Sequence, residues 1–296
     1  MRPIRWLLVY FAVVFLGGAL LAPCLYWLAQ WAAGHWPALS GLANKPFHRF
    51  LDRSMLGLAL LCLWPLLRGS GACSWRDLGF VRQGRLERQI LSGFAVGWAS
   101  LAVVALLALA FGARGLVLTH SGGELVHRLV AATFTAAVVA VLEELVFRGA
   151  LFGLLRQSIP WPAALLVSSA IYSAVHFIKS GETALPVQWN SGLLLLMDML
   201  RHPPSMMPAF LTLLVAGSIL ALCYQRTGAL YFSIGLHAGW IFWLRIYGFL
   251  SHSTGVNTAF WGTDNLVDGW LSLIVLTVLF LLIIRQRRGS SPSLSV

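Results

Sequence analysis

Two adjacent glutamates, Glu143 and Glu144, lie in the segment VLEELVFRG, whose remaining charged residue is Arg148. The residues on either side of this segment are apolar for more than a turn of helix in both directions. A charged side chain near the centre of a bilayer costs at least ~2.5–3.5 kcal/mol on insertion scales, so such residues face a protein interior or a wet cavity. Of the ten acidic residues in the chain, these two lie deepest in a long apolar run, and they are the first candidates for chemistry.

Helical spacing gives the two carboxylates different roles. Glu144 and Arg148 are four residues apart with the carboxylate first, which places them on one helix face in the favourable order for an ion pair. Glu143 lies about 100° around the helix from Glu144 and has no such partner on that helix. Glu143 is therefore the candidate base that takes a proton from water, with Glu144 and Arg148 as its support. The alternative from spacing alone is a buried ion pair that joins helices and has no catalytic role.

Two of the eight histidines lie well inside apolar segments, His176 in SSAIYSAVHF and His237 in YFSIGLHAGW. Tyr172 precedes His176 by one helical turn and shares its face. A single histidine inside a membrane is usually a hydrogen-bonded packing residue, but two of them beside an unpaired glutamate indicate a site. The other six fall in loops or at the ends of apolar segments: residues 35, 48, 120, 127, 202 and 252.

The hairpin between the segments that carry Glu143 and His176 predicts their relative depth. Its turn is centred near Ser158–Pro160, about 16 residues after Glu143 and about 17 before His176. Antiparallel helices joined there place the two side chains at one level, ~24 Å from the turn. We therefore expect Glu143 and His176 to share a water molecule.

The elements that must position these residues are transmembrane helices. The chain has 296 residues, of which 58% are hydrophobic and 10% charged, with a mean hydropathy of +0.79, whereas soluble domains carry about 25% charged residues. These values predict an all-α polytopic membrane protein, a bundle of about eight transmembrane helices. The predicted spans are roughly 6–31, 54–67, 89–111, 126–155, 161–179, 208–224, 229–249 and 270–284. The first begins like a secretory signal but lacks a small-residue cleavage pattern, so we expect it to be retained.

The chain has a net charge of +11, and the distribution of its basic residues indicates its orientation in the membrane. Most arginines fall on one side of an even number of spans, which predicts that both termini are cytoplasmic. We therefore expect the lipid bilayer as a partner and no nucleic acid. The four cysteines, at positions 24, 62, 73 and 223, form no CxxC pair and indicate neither a disulfide framework nor a thiolate metal site.

The chain shows no internal repeat, no low-complexity tract and no soluble domain. One structural domain is expected, with N-terminal transmembrane helices over 1–125, a catalytic core over 126–250, and a last helix with a polar tail over 251–296. The apolar patch GLLLLMDML is too short to span and is interpreted as an interfacial or re-entrant helix. The tail GSSPSLSV is expected to be disordered.

Three motifs in this order resemble one family. They are EE-x-x-x-R at Glu143, Glu144 and Arg148, aromatic-x-x-x-His at Tyr172 and His176, and a third motif centred on His237. Together they are similar to the CAAX-processing and bacteriocin-processing (CPBP, or Abi) intramembrane proteases, which include the type II CAAX prenyl endopeptidases. The match extends from about residue 140 to 241.

The resemblance implies a water-filled cavity in which Glu143 and His176 activate water for peptide hydrolysis. It also implies that His237 stabilises the oxyanion or, in older descriptions of the family, helps to bind a metal. The cofactor stays open at this point: Glu143, His176 and His237 provide three ligands of the kind zinc takes, yet a glutamate-activated water needs no metal. The implied substrate is a membrane-anchored or prenylated protein or peptide.

The sequence departs from the family pattern at Ile241, where Asn or Asp is common four residues after the third-motif histidine. Loss of one oxyanion donor costs ~10²–10³ in rate, and Asn190 and Asn257 are possible substitutes. The departure favours an alternative function, that of a catalytically silent scaffold or immunity-type protein. A proton-coupled transporter is a third hypothesis, but the paired broken helices typical of transporters are not seen.

Overall fold

The computed structural model describes residues 2–71, 74–81, 84–177, 186–201 and 207–285. The helices are α1 Arg2–Ala12, α2 Gly18–His35, α3 Ser40–Ala43, α4 Phe47–Ser70, α5 Leu86–Ala110, α6 Gly122–Glu144, α7 Gly153–Leu155, α8 Trp161–His176, α9 Ser191–Arg201, α10 Met207–Thr227, α11 Tyr231–Leu250, α12 Thr258–Trp261 and α13 Trp270–Arg285. Two π-helical segments, Val13–Gly17 and Leu145–Phe152, connect α1 to α2 and α6 to α7 without a break. Pro37–Leu39 forms a 3-10 turn.

Each of the eight predicted apolar segments contains a helix within its described residues, and the fold is all-α and polytopic. Within the described ranges, five helical segments are long and apolar enough to cross a membrane: Ile4–His35, Phe47–Ser70, Leu86–Ala110, Gly122–Leu155 and Met207–Thr227. The shorter helices α8 and α13 have 16 residues each, about 24 Å at 1.5 Å per residue, which is less than the ~30 Å hydrocarbon core. The predicted count of eight spans is therefore not confirmed, although the helices themselves are present.

Two apolar clusters hold the helices together. The larger one joins α5, α6, α8, α10, α11 and α13, and the smaller one joins α1, α2 and α4. The π-helical segment Leu145–Phe152 contributes to both, with Leu145, Ala150 and Leu151 in the smaller cluster and Phe152 in the larger. The segment that follows the two glutamates thus lies where the two halves of the bundle meet.

Glycines bring α5 and α11 into close contact. A Cβ added at Gly97 would meet the carbonyl oxygen of Leu236, and one added at Gly235 would meet that of Ile90. Small residues at such contacts let helix backbones approach closely, which compensates for the weak hydrophobic drive between helices in lipid. This contact fixes the backbone of α11 immediately beside His237.

A short antiparallel pair of strands interrupts the all-α pattern. β1 (Arg114–Leu116) pairs with β2 (Ser251–Ser253) at the ends of α5 and α11. The buried Arg114 side chain donates to the Thr263 carbonyl at 2.7 Å and to the Ser251 hydroxyl at 2.9 Å. The sequence does not predict this sheet, because strands of three residues are too short to show an alternating apolar and polar pattern.

The patch GLLLLMDML is a helix, as predicted, and lies within α9. Its Gly192 packs against the carbonyl oxygen of Ala19 on α2. The tail interpreted as disordered lies outside the described residues. Cys24, Cys62 and Cys223 are free thiols.

Candidate active site

Glu143 and Glu144 are the last two residues of α6, and the backbone becomes π-helical at the next residue. π-Helical turns widen a helix locally and are frequent at functional sites. The expected ion pair survives this change, because the Arg148 Nη1 atom lies 2.9 Å from Glu144 Oε1. The prediction that Glu144 and Arg148 pair is confirmed.

Glu144 is the centre of a buried polar network. Its Oε1 atom also accepts a hydrogen bond from His237 Nδ1 at 3.0 Å, across 93 residues of sequence. The Glu144 side chain is 0% exposed and that of Arg148 is 2% exposed. The guanidinium group of Arg148 lies 4.4 Å from the centre of the Tyr172 ring. Glu144 therefore acts as the counterion of Arg148 and fixes the orientation of His237, a link that spacing along the sequence does not reveal.

Glu143 faces both intramembrane histidines. Its Oε2 atom lies 3.7 Å from His176 Nε2 and 3.7 Å from His237 Nε2. The predicted proximity of Glu143 and His176 is present in the structure. The side chains of Glu143 and His176 are 22% and 24% exposed, whereas that of His237 is 5% exposed. Solvent thus reaches the first two residues more easily than the third.

Hydrogen bonds show which ring nitrogen carries a proton in each of the two imidazoles. His176 Nδ1 lies 2.8 Å from the Tyr172 carbonyl oxygen, which can only accept, so Nδ1 carries the proton. His237 Nδ1 donates to Glu144 in the same way. In the neutral form of either ring, Nε2 is an acceptor, and in both rings it lies 3.7 Å from Glu143 Oε2. Glu143 Oε2 and His176 Nε2 are thus two acceptors that suit a small donor molecule such as water, and Glu143 Oε2 accepts no hydrogen bond from the described residues.

Tyr172 completes this cluster. Its hydroxyl lies 3.4 Å from His237 Nε2, and its ring lies 4.4 Å from the ring of His176 between centroids. Phe147 packs edge-on against the same ring at 5.1 Å. The tyrosine is buried, and its hydroxyl is the side-chain donor that the structure places beside His237 Nε2.

A cavity of about 280 Å³ opens beside Glu143. Glu143 and His176 line it, together with residues from α1, the π-helical segment Val13–Gly17 and α4. Most of the lining is apolar. Its polar or charged residues other than Glu143 and His176 are Tyr10, Arg49, Asp52 and Arg53. Sequence reasoning missed these four, because no local spacing relates the N-terminal helices to the glutamates.

Ile241 and the two candidate asparagines are not among the described residues that line the cavity. Ile241 is half-buried and packs against the larger apolar cluster. Asn257 caps α12, just beyond β2. It is far along the chain from His237, because the 13 residues from His237 to the end of α11 at Leu250 already span about 20 Å. Asn190 precedes α9, which packs on α2. Among the described residues that line the cavity, none of these three appears.

The described part of the chain contains no group of three or more His, Cys, Asp or Glu side chains arranged to hold a metal ion. The metalloprotease alternative, with Glu143, His176 and His237 as ligands, is therefore not supported.

Comparison with known proteins supports the resemblance drawn from the motifs. Residues 125–243 match the model of a family described as type II CAAX prenyl endopeptidase Rce1-like. This range contains Glu143, Glu144, Arg148, His176 and His237 and confirms the CAAX protease resemblance. No curated protein and no solved structure matches the chain.

Proposed function

With residues 125–243 assigned to the Rce1-like type II CAAX prenyl endopeptidases, we propose that this integral membrane protein is an intramembrane endopeptidase using water activated by Glu143 and His176. The observation that carries the proposal is the convergence of Glu143 Oε2 and His176 Nε2, 3.7 Å apart, on the wall of a cavity. Two atoms at this separation are too far apart for a direct hydrogen bond, and both can bind one water at about 2.8 Å.

The first step is activation of that water. It donates one hydrogen to Glu143 Oε2 and the other to His176 Nε2, so that a lone pair on its oxygen is directed away from both bases. Attack on the scissile carbonyl carbon transfers a proton to Glu143, a general-base contribution worth typically ~10²–10⁴ in rate. Glu143 then gives this proton to the amide nitrogen while the oxyanion reforms the carbonyl and the C–N bond breaks, which releases the amine and the carboxylic acid without a further proton donor.

Stabilisation of the oxyanion is assigned to His237 and the Tyr172 hydroxyl together. A neutral His237 has no proton on Nε2, so the hydrogen at this position comes from Tyr172, 3.4 Å away. A hydroxyl rotates to suit its acceptor and can turn from Nε2 to the developing oxyanion. If His237 takes up a second proton, the Glu144 carboxylate at Nδ1 balances the charge. Tyr172 thereby supplies the donor that Ile241 lacks, which weakens the sequence argument for a silent protein.

The cavity also fits the proposed substrate. Its lining is predominantly apolar, as expected for a site that accepts a peptide anchored in or beside the bilayer. We propose a prenylated or otherwise membrane-anchored protein or peptide as the substrate. A zinc-dependent mechanism is not needed for any of these steps.

The test is cleavage of a farnesylated peptide with a C-terminal CAAX sequence by purified protein in proteoliposomes. The unmodified chain should release the C-terminal fragment, and Glu143→Gln should bind the peptide without cleaving it. Glu87→Gln, an exposed glutamate in the first turn of α5, is the matched control and should retain activity. Binding without cleavage by the unmodified chain, across a library of membrane-anchored peptides, would instead support the scaffold hypothesis.

A further inference from the structure

The charges of the cavity outside the glutamate and histidine pair all come from one helix. α4 contributes Arg49, Asp52 and Arg53 from its first two turns, and Met55, Leu56 and Ala59 from its next turns. Arg49 and Arg53 are four residues apart, so their side chains share a face of α4. The cavity therefore has a cationic patch on its α4 wall and the catalytic pair on its α6 and α8 walls.

The two arginines are available to a ligand. Both are exposed, and among the described residues neither forms an ion pair. Asp52, between them on α4, has an interaction of its own. Two cations beside an apolar cavity favour a ligand with an anionic group next to apolar groups, because a guanidinium binds an oxyanion through paired N–H donors.

The position of the patch favours a carboxylate from the peptide. Arg49, Arg53 and Glu143 line the same cavity, so one bound peptide can place an anionic group at α4 and its scissile bond at Glu143. A free peptide C-terminus a few residues beyond the scissile bond meets both requirements.

We propose that Arg49 and Arg53 form a subsite for the free C-terminal carboxylate of the substrate. The inference rests on the proposed endopeptidase function and adds to it the residues that recognise the C-terminal end of the substrate. The subsite makes the enzyme specific for bonds near a C-terminus, since an internal bond of a long chain presents no carboxylate to α4. A phospholipid headgroup offers similar oxyanion chemistry, and the experiment separates the two sources.

The test compares two peptides that are identical except for a free carboxylate or an amide at the C-terminus. With the unmodified enzyme, amidation should raise KM about tenfold to hundredfold, the range expected for loss of a hydrogen bond to charged groups. kcat should change little, because the carboxylate is bound equally in the ground and transition states. In Arg49→Gln/Arg53→Gln the two peptides should have the same KM. Equal KM values for the two peptides with the unmodified enzyme would overturn the proposal.

Lys45→Gln is the matched control, because Lys45 is an exposed cation just before α4 and is not among the cavity residues. It should keep the preference for the free carboxylate. Loss of the preference in Lys45→Gln as well would show that general surface charge, and not the subsite, is responsible. Repeating the assay in zwitterionic and in anionic vesicles tests the lipid source. If the arginine substitutions matter only in anionic vesicles and equally for both peptides, the arginines bind headgroups and the proposal fails.

Binding to Glu143→Gln separates this proposal from the proposed function. Competition with a fluorescent peptide measures affinity without turnover, so a preference for the carboxylate peptide there supports the subsite even if no peptide is cleaved. Absence of that preference in a variant that still binds peptide overturns the subsite and leaves the endopeptidase proposal intact.

Discussion

Behind the α6 and α8 side of the cavity, Glu144 is bonded to Arg148 and to His237, whereas on the α4 side the arginines have no ion-pair partner among the described residues. Glu144 is fully buried between Arg148 and His237. Arg49 and Arg53 are exposed. The first side lies within the range matched to the endopeptidase family, and the second lies outside it. A reacting group must be held in one geometry, while a group that selects substrates must stay accessible, and the two walls differ accordingly.

The same contrast separates the two adjacent glutamates. Glu144 uses Oε1 for two hydrogen bonds inside the protein, and Glu143 directs Oε2 at the two histidines beside the cavity. Glu144 is thus a structural carboxylate and Glu143 a candidate base, although they are adjacent residues on one helix. The substitutions below test whether this division holds.

The largest effect is expected for Glu143→Gln. An amide cannot accept the proton of water at this position, so kcat should fall by ~10²–10⁴. Thermal stability in detergent should stay close to that of the unmodified chain. Turnover of the farnesylated peptide is the measurement, and a variant that keeps full activity would remove Glu143 from the mechanism.

Glu144→Gln should act first on stability. It leaves Arg148 buried without its counterion, and breaking a buried pair costs ~3–5 kcal/mol. The melting temperature in detergent should therefore fall well below that of Glu143→Gln, its isosteric neighbour. Equal melting temperatures for the two variants would contradict the assignment of Glu144 as structural and Glu143 as functional.

Tyr172→Phe should lower kcat by ~10², the lower range for loss of one oxyanion donor. KM should change little, since the donor acts mainly in the transition state. The ring contacts with His176 and Arg148 are kept, so stability should be nearly unaffected. Tyr247→Phe is the control, because the Tyr247 hydroxyl bonds the Ala105 carbonyl, remote from the glutamates. A similar loss of kcat in both variants would mean that the effect is not specific to the site.

A smaller and opposite effect is expected at Ile241. Because Ile241 follows His237 by one helical turn, Ile241→Asn should raise kcat slightly in the unmodified chain. In the Tyr172→Phe background it should restore a larger part of the lost rate, and a double-mutant cycle measures this coupling. Independent, additive effects would show that the two side chains do not serve the same oxyanion.

The smallest effect is expected from a metal chelator. Prolonged treatment with a chelator followed by desalting should leave kcat/KM unchanged, because each proposed step uses protein groups alone. Loss of activity that zinc restores would reinstate the three-ligand alternative of Glu143, His176 and His237.

Local spacing in the sequence determined much of the site. The four-residue separation of Glu144 and Arg148 predicted their ion pair, since neighbours on one helix face need no knowledge of the rest of the fold. The short hairpin between α7 and α8 predicted the proximity of Glu143 and His176 in a similar way, because a tight turn leaves little freedom in relative depth. The apolar composition of the sequence predicted the helices. How many of them are long enough to cross the membrane depends on helix boundaries, which hydropathy predicts poorly.

Only the tertiary structure decided the contacts between segments distant in the chain. The bond from His237 to Glu144 depends on how α11 packs against α5 through their glycines, and the position of the Tyr172 hydroxyl depends on the same packing. Arg49 and Arg53 reach the cavity because α4 packs on α1 and α2, outside the range matched to the endopeptidase family. A sequence specifies which faces of a helix are apolar, but which partner each face meets follows from packing the whole bundle at once.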